Sequence, residues 1–260
     1  MPPPPKNLDE LARSLLANGP VKTLPANPKR VRIRLGGTYV ADATDAVLVW
    51  EHAYYPTYYL PTASFATGAL SYPDSPGEGY SLAVLSAGKA TTDRVIVFKQ
   101  GELAGLVRVE FGAVDAWFEE DVRIDVHPKD PFKRVDVVFS SRPVRVSVHG
   151  TEVARAESSF HLYETGLPVR FYLPATSVQA ELLRDSATVT ACPYKGEANY
   201  YDLVVKGNWN EEQKLKDIVW YYKNPKMECA GIAGCLCFYN EKVDIELDGK
   251  KLEQPKTHFA

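Results

Sequence analysis

The chain has 260 residues, 45% hydrophobic, 24% charged and 11% aromatic; these are globular values and exclude intrinsic disorder for most of the length. With 30 basic and 33 acidic side chains the net charge is −3, which argues against nucleic acid or an anionic membrane as the main partner and leaves room only for a local basic patch. No stretch approaches the ~18 apolar residues of a membrane span. The N-terminus lacks the apolar region of a secretory signal, and four cysteines are too few for a disulfide framework, so the expected compartment is the reducing cytoplasm.

Four prolines, Pro2–Pro5, read as a solvated tail. Asn7 and Glu10 then form a capping box for a helix over Leu8–Ala17, whose Leu8, Leu11 and Leu15 share a face and which Gly19-Pro20 stops. Val31–Leu35 alternates apolar and charged residues, and Gly36-Gly37 turns it into Thr38–Asp42, a hairpin. Further strands are expected at Ala46–Trp50, Arg94–Phe98, Leu106–Glu110 and Val135–Phe139, then Val144–Val148, Thr151–Arg155, Asn199–Val205 and Val243–Leu247. One helix per half is expected after a Leu-Pro step: weakly over Ser64–Leu70, and more clearly where Thr176 and Gln179 form a capping box and Val178 and Leu182 share a face.

The halves are copies. An offset of 113 residues aligns Val31 with Val144 and Pro61 with Pro174, giving 11 identities in 31 ungapped positions. Glu51 then meets Glu164. Further on the register slips to 121, laying Trp117–Glu120 over Phe238–Glu241. The expected division is 1–30, tail and helix; 31–140, first repeat and linker; 141–250, second repeat; 251–260, tail.

Several familiar sites are absent. Gly88-Lys89 lacks the glycine (Ala83) and the hydroxyl (Ala90) of a P-loop, and Gly79–Ala83 lacks the last glycine of a nucleophile elbow. Cys229, Cys235 and Cys237 contain no Cys-x2-Cys pair, so no metal is expected. The unusual segment is Cys192-Pro193-Tyr194-Lys195-Gly196, where Pro193 and Gly196 suit a tight turn. Such a turn gathers a thiol, a phenol and an ammonium. This favours a nucleophilic thiolate or an anion contact, and equally describes a structural cysteine beside a solvated lysine. His127 and Asp130 lie between the copies, either as a stiff linker or reaching a pocket there. Glu119, Glu120 and Asp121 form the one acidic cluster of the kind that could hold magnesium. Tyr58, Tyr59, Phe171, Tyr172, Tyr200, Tyr201, Trp220 and Tyr221 fill a core or line a pocket.

Trp117–Asp121, His127–Val137, Ser141–Val146, Glu164–Pro174, Cys192–Gly196 and Ile232–Gly234 with Phe238-Tyr239 resemble the domain-of-unknown-function 427 family, well over the second copy and loosely over the first. The family carries a nucleotidyltransferase label. Its members resemble the β-tent architecture of the thalidomide-binding domain of cereblon and of methionine sulfoxide reductase B. The resemblance implies a mainly β fold with few short helices: two tandem β-tent-like domains related by duplication, plus the N-terminal helix. It also implies a small-molecule pocket. The Cys-Pro-Tyr-Lys-Gly motif occurs only in the second copy, the zinc-binding cysteine pairs of some β-tent relatives are missing, and Val122 replaces the usual acid after Asp121.

The expected function is binding of an apolar or ring-shaped, partly anionic or carbonyl-bearing molecule. Arg170, Tyr172, Cys192, Tyr194, Lys195, Tyr200 and Trp220 line the site, with His127 and Asp130 at the seam. The alternatives are an enzyme, nucleotidyltransferase-like or Cys192-dependent, with Cys192, Lys195, His127 and Asp130 as catalytic candidates, and a non-catalytic interaction module. No cofactor, nucleic acid or membrane partner is expected, and the sequence does not set the oligomeric state.

Overall fold

The structure is a computed structural model that describes residues 7–73, 76–206 and 212–257; the proline tail falls outside them. The chain divides into two units, Met1–Asp130 and Pro131–Ala260. In the first unit the elements are α1 (Leu8–Asn18), β1 (Lys22–Pro25), β2 (Val31–Leu35), β3 (Thr38–Ala43), β4 (Val47–Trp50), β5 (Thr57–Pro61), β6 (Leu70–Ser71), β7 (Pro76–Gly77), β8 (Tyr80–Ala87), β9 (Ala90–Phe98), β10 (Leu106–Val109), β11 (Ala116–Glu119) and β12 (Val122–Ile124). In the second they are β13 (Val135–Ser140), β14 (Val144–Val148), β15 (Thr151–Ala156), β16 (Ser159–Glu164), β17 (Arg170–Leu173), β18 (Leu183–Cys192), β19 (Gly196–Lys206), β20 (Glu212–Tyr222), β21 (Leu236–Phe238), β22 (Asp244–Leu247) and β23 (Lys250–Lys251).

Each unit holds one large and one small antiparallel sheet, and the strand orders correspond. The large sheets run β1-β4-β5-β10-β9-β8-β6 and β13-β16-β17-β21-β20-β19-β18; the small ones run β12-β11-β2-β3 and β15-β14-β22-β23. The duplication is therefore shared at the level of topology, apart from β7, which pairs with β8 and has no counterpart in the second unit. Alternation explains the layering, since residues two apart on a strand share a face. Val31, Ile33 and Leu35 of β2 face the large sheet, with Trp117, Leu60 and Val107 in one core, while Arg32 and Arg34 face outward. Val144, Val146, Phe171 and Leu173 do the same in the second unit.

The outer face of each large sheet is covered differently. In the first unit α1 lays Leu8, Ala12 and Leu15 on Tyr59, Ile96 and Phe98. Asn7 Oδ1 accepts from the Asp9 and Glu10 amides at 3.0 and 3.2 Å, and Gly19, at φ +71°, donates to the Leu15 carbonyl. Asn7→Ala is expected to cost about 1 kcal/mol in urea unfolding. In the second unit Met227–Ile232, a 3-10 segment, takes that place and buries Cys229 and Ile232. Gly231 sits so close that a Cβ there would meet Phe160 and Val137 at 3.3 Å.

Two expectations are corrected. The two helices after the Leu-Pro steps are short 3-10 turns, Thr62–Ser64 in the first copy and Ala175–Ser177 and Ala180–Leu182 in the second. Val178 bridges Ala154 and the Gln179 side chain donates to the Glu152 carbonyl at 2.9 Å, so the segment is recruited by β15 instead of closing a capping box. The register of 121 also fails. Trp117 pairs with Ile33 as Ile245 pairs with Val146, so Ile245 is its counterpart; Phe238 lies in β21, where it matches Val109. The two compact units meet at Asp130/Pro131; β13 pairs with β16 in the second, and β1 joins the large sheet of the first.

Candidate functional site

The segment Cys192–Gly196 is the turn between β18 and β19, with Cys192 and Gly196 paired across it. Gly196 has φ +102°, and a Cβ there would press on the Asn224 carbonyl at 3.3 Å. The turn is tied down: the Lys226 amide donates to the Lys195 carbonyl at 3.0 Å, and the Cys229 thiol points at the Tyr194 carbonyl, 3.7 Å away. This curls Lys195 inward. Its Nζ lies 2.5 Å from Glu164 Oε2, and both side chains are largely buried. Burial opposes the Lys195 ammonium, but the neighbouring Cys192 sulfur and the Glu164 carboxylate outweigh it, and the pKa rises above the ordinary lysine value.

Around this pair lies a dense aromatic and thiol cluster of Leu162, Tyr172, Tyr200, Trp220, Tyr222, Cys229, Cys235 and Cys237. Trp220 Nε1 donates to Tyr172 Oη at 3.1 Å, and Tyr200 shares a hydroxyl bond with Thr190 at 2.8 Å. Burial pushes the phenols of Tyr172 and Tyr222 and the thiol of Cys237 well up, so all three stay protonated. Three of the four cysteines are buried, and Cys192 alone is half-exposed.

Arg170 forms the other arm of the site. It makes a bidentate pair with Glu241 at 2.7 Å for both bonds, and stands 5.5 Å from the Trp220 ring and 5.9 Å from the Tyr239 ring. Next to it the Asn240 amide donates to the Val169 carbonyl at 2.8 Å. These bonds staple the same two chain segments. Arg170 faces the aromatic cluster, whereas Val169 packs on the core between the sheets. On that side is a hollow of about 220 Å³, lined mainly by apolar residues such as Val169, Val243, Ile245 and Leu252, with Asn240, Glu253 and Gln254 as its polar members. Asn240 Oδ1 is buried and has no hydrogen-bond partner among the described residues.

The structure gathers Arg170, Tyr172, Tyr200 and Trp220 in one cluster of the second unit, with Cys192 and Lys195 in electrostatic contact beside it, and holds Tyr194 in the adjoining turn. It also changes what the two cations can do, since each is already neutralised by a carboxylate. His127 and Asp130 belong to the first unit and are engaged there. His127 stacks on Tyr55, centroids 4.1 Å apart, with Nδ1 2.7 Å from the Pro128 carbonyl, and Asp130 accepts from Trp50 Nε1 at 3.2 Å. Glu119, Glu120 and Asp121 do not act as one cluster. Tyr58 and Lys29 hold Glu119, the Arg30 amide holds Glu120, and Arg32 holds Asp121. Among the described residues no group of three His, Cys, Asp or Glu is placed to hold a metal ion.

The first unit clarifies the duplicated glutamate. Glu51 is also buried and also paired, but with Arg108 at 2.9 Å, and Tyr59 donates to it at 3.2 Å. Arg108 lies opposite Tyr59 as Cys237 lies opposite Tyr172, so Cys237 occupies the arginine's place. One carboxylate therefore has two different cations: an arginine from β10 in one copy and a lysine from the β18–β19 turn in the other.

Comparison with known families gives a match to the family described as Domain of unknown function (DUF427), over residues 23–76 and 136–249. The two segments cover well over half of the chain. It belongs to the DUF427 family. The second segment contains Glu164, Arg170, the Cys192–Gly196 turn, Asn240 and Glu241, while Leu252 and Pro255 of the hollow lie beyond the DUF427 match. Comparison with curated proteins returns no match. No helix among the described residues is long and apolar enough to cross a membrane.

Proposed function

We propose that the second unit binds a small uncharged molecule bearing a hydrogen-bond donor. The observation that carries this reading is the mostly apolar hollow beside the Arg170–Glu241 pair, lined in part by Asn240, whose buried Oδ1 has no hydrogen-bond partner among the described residues. A buried acceptor without a partner costs about 1–3 kcal/mol, and a ligand N–H or O–H removes that cost. A volume of about 220 Å³ suits a small compound. The internal neutralisation of Arg170 and Lys195 favours a neutral ligand over the anionic one expected from the cations alone.

A thermal screen of neutral amides, imides and small aromatic alcohols tests the reading. A compound that binds only the native state must raise the melting temperature. The shift is expected in the wild type and lost in Asn240→Leu. A screen with no stabilising compound, or shifts that survive Asn240→Leu, counts against it.

The second reading is thiol chemistry at Cys192, favoured by its half-exposed position beside the Lys195 ammonium. Brief iodoacetamide treatment of the native protein is expected to alkylate Cys192 and spare Cys229, Cys235 and Cys237. Uniform or absent labelling rejects this second reading and leaves the first untouched.

A further inference from the structure

The outer faces of the two small sheets occupy equivalent places and carry different chemistry. In the second unit the face is a neutral lattice of ion pairs. Arg145 lies 2.7 Å from Glu152 and 3.3 Å from Glu246, Arg155 pairs with Glu152 at 2.6 Å, and Lys251 pairs with Asp244 at 2.9 Å. The strand registers give each of these residues a counterpart in the first unit. Arg32 stands for Arg145, Tyr39 for Glu152, Phe118 for Glu246, Arg34 for Ser147, Ala116 for Asp244, Arg123 for Lys251 and Asp42 for Arg155. The two carboxylates that pair with Arg145 have become aromatic rings and the partner of Lys251 an alanine, while Asp42 replaces Arg155 and Arg32 pairs with Asp121.

The result is a basic and aromatic face. Arg32 lies over the Tyr39 ring at 4.6 Å and near Phe118 at 5.7 Å, Arg34 lies over Phe118 at 5.6 Å, and the two rings meet edge to face at 5.6 Å. With one side covered by Arg32, Tyr39 is still 44% exposed. Arg32 and Arg30 have carboxylates, Asp121 and Asp42. Neither Arg34 nor Arg123 has one among the described residues, and the Nε atoms of Arg32 and Arg34 are buried without an acceptor.

We propose that this face of the first unit, centred on Arg34, Tyr39, Phe118 and Arg123, binds single-stranded nucleic acid. Two guanidinium groups without carboxylates meet phosphates, and the exposed tyrosine ring offers a base a stacking surface; this is the combination that single-strand binding uses. An acidic peptide would satisfy the guanidinium groups but has no planar group for the ring. The net charge of −3 speaks against a globally basic surface and not against this local one.

The test is fluorescence anisotropy of a labelled mixed-sequence single-stranded oligonucleotide with the full chain at about 50 mM salt. Binding is expected, weakening about tenfold between about 50 and 200 mM salt, as two or three phosphate contacts require. The variant R34S/Y39E/F118E installs the second unit's own residues on an equivalent scaffold and is expected to lose at least about tenfold in affinity. R123A, at an exposed position, is expected to weaken binding about threefold and to flatten the salt slope, which keeps the test usable if the triple variant misfolds. R145A on the second unit's face is expected to change nothing. No binding at about 50 mM salt, equal binding by all variants, or binding of an acidic peptide in place of the oligonucleotide overturns the proposal.

Discussion

Lys195→Ala is expected to destabilise the second unit by about 3–5 kcal/mol, because it leaves the buried Glu164 carboxylate without its cation. Only 13% of the lysine side chain and 10% of the glutamate side chain are exposed, so solvent does little to stabilise the stranded charge. The loss is expected to come from that charge and not from the missing methylenes. Lys195→Met with Glu164→Gln, which removes both charges and keeps most of the volume, is accordingly expected to lie within about 1–2 kcal/mol of the wild type. The first copy suggests a further rescue. Cys237→Arg in the Lys195→Ala background places an arginine at the position where Arg108, opposite Tyr59, pairs with Glu51, and is expected to recover part of the loss. Urea unfolding of the four proteins reads all of this. A single variant as stable as the wild type, or a double variant as unstable as the single, would show that the pair is not what holds the turn in place.

Much of the fold could be read from the residues, and the failures have physical causes. Val31–Leu35 and Val144–Val148 alternate apolar and polar residues because one face packs in the core, while the other carries Arg32 and Arg34 against aromatic rings in the first copy and half-buried Arg145 and Ser147 in the second. β18 and the first half of β20 escape this pattern. Residues such as Arg184, Asp185 and Thr190, or Glu212, Gln213 and Lys214, are exposed although the strands are long and paired. The turn at Cys192–Gly196 is legible from Pro193 and Gly196. The partners of its lysine and of Arg170 are not, because Glu164 and Glu241 lie 31 and 71 residues away and meet them only through strand order. Asn240 carried no local signal at all. The slip to a register of 121 had a definite cause as well: aromatic and acidic residues resemble each other in Trp117–Glu120 and Phe238–Glu241, while the strands they occupy differ in position. The duplicated glutamate shows the limit of reading one copy from the other, since the carboxylate was kept while the strand that supplies its cation changed.

The pH dependence of the second unit is expected to centre on Glu241. Burial alone would raise its pKa, but the bidentate bonds from Arg170 and the Thr257 hydroxyl at 2.7 Å outweigh it and hold the carboxyl near about 2, against an ordinary value of 4.5. A carboxyl with a lowered folded-state pKa binds fewer protons folded than unfolded, so stability falls as the pH falls. Its contribution is full above about pH 4.5 and is lost between there and about pH 2. At about 1.4 kcal/mol per pH unit, this amounts to at most about 3 kcal/mol. Urea unfolding at steps through that range is expected to show this loss in the wild type and a flatter profile in Glu241→Gln. The variant is also expected to be less stable at neutral pH, where Arg170, with 11% of its side chain exposed, keeps a charge that nothing balances. Parallel profiles for the two proteins would mean that the Arg170–Glu241 pair does not set the acid limit. The same comparison bears on the hollow next door. Asn240 and Glu241 reach Val169 and Arg170 as one staple, so acid that loosens the ion pair is expected to loosen the wall that holds Asn240 in place.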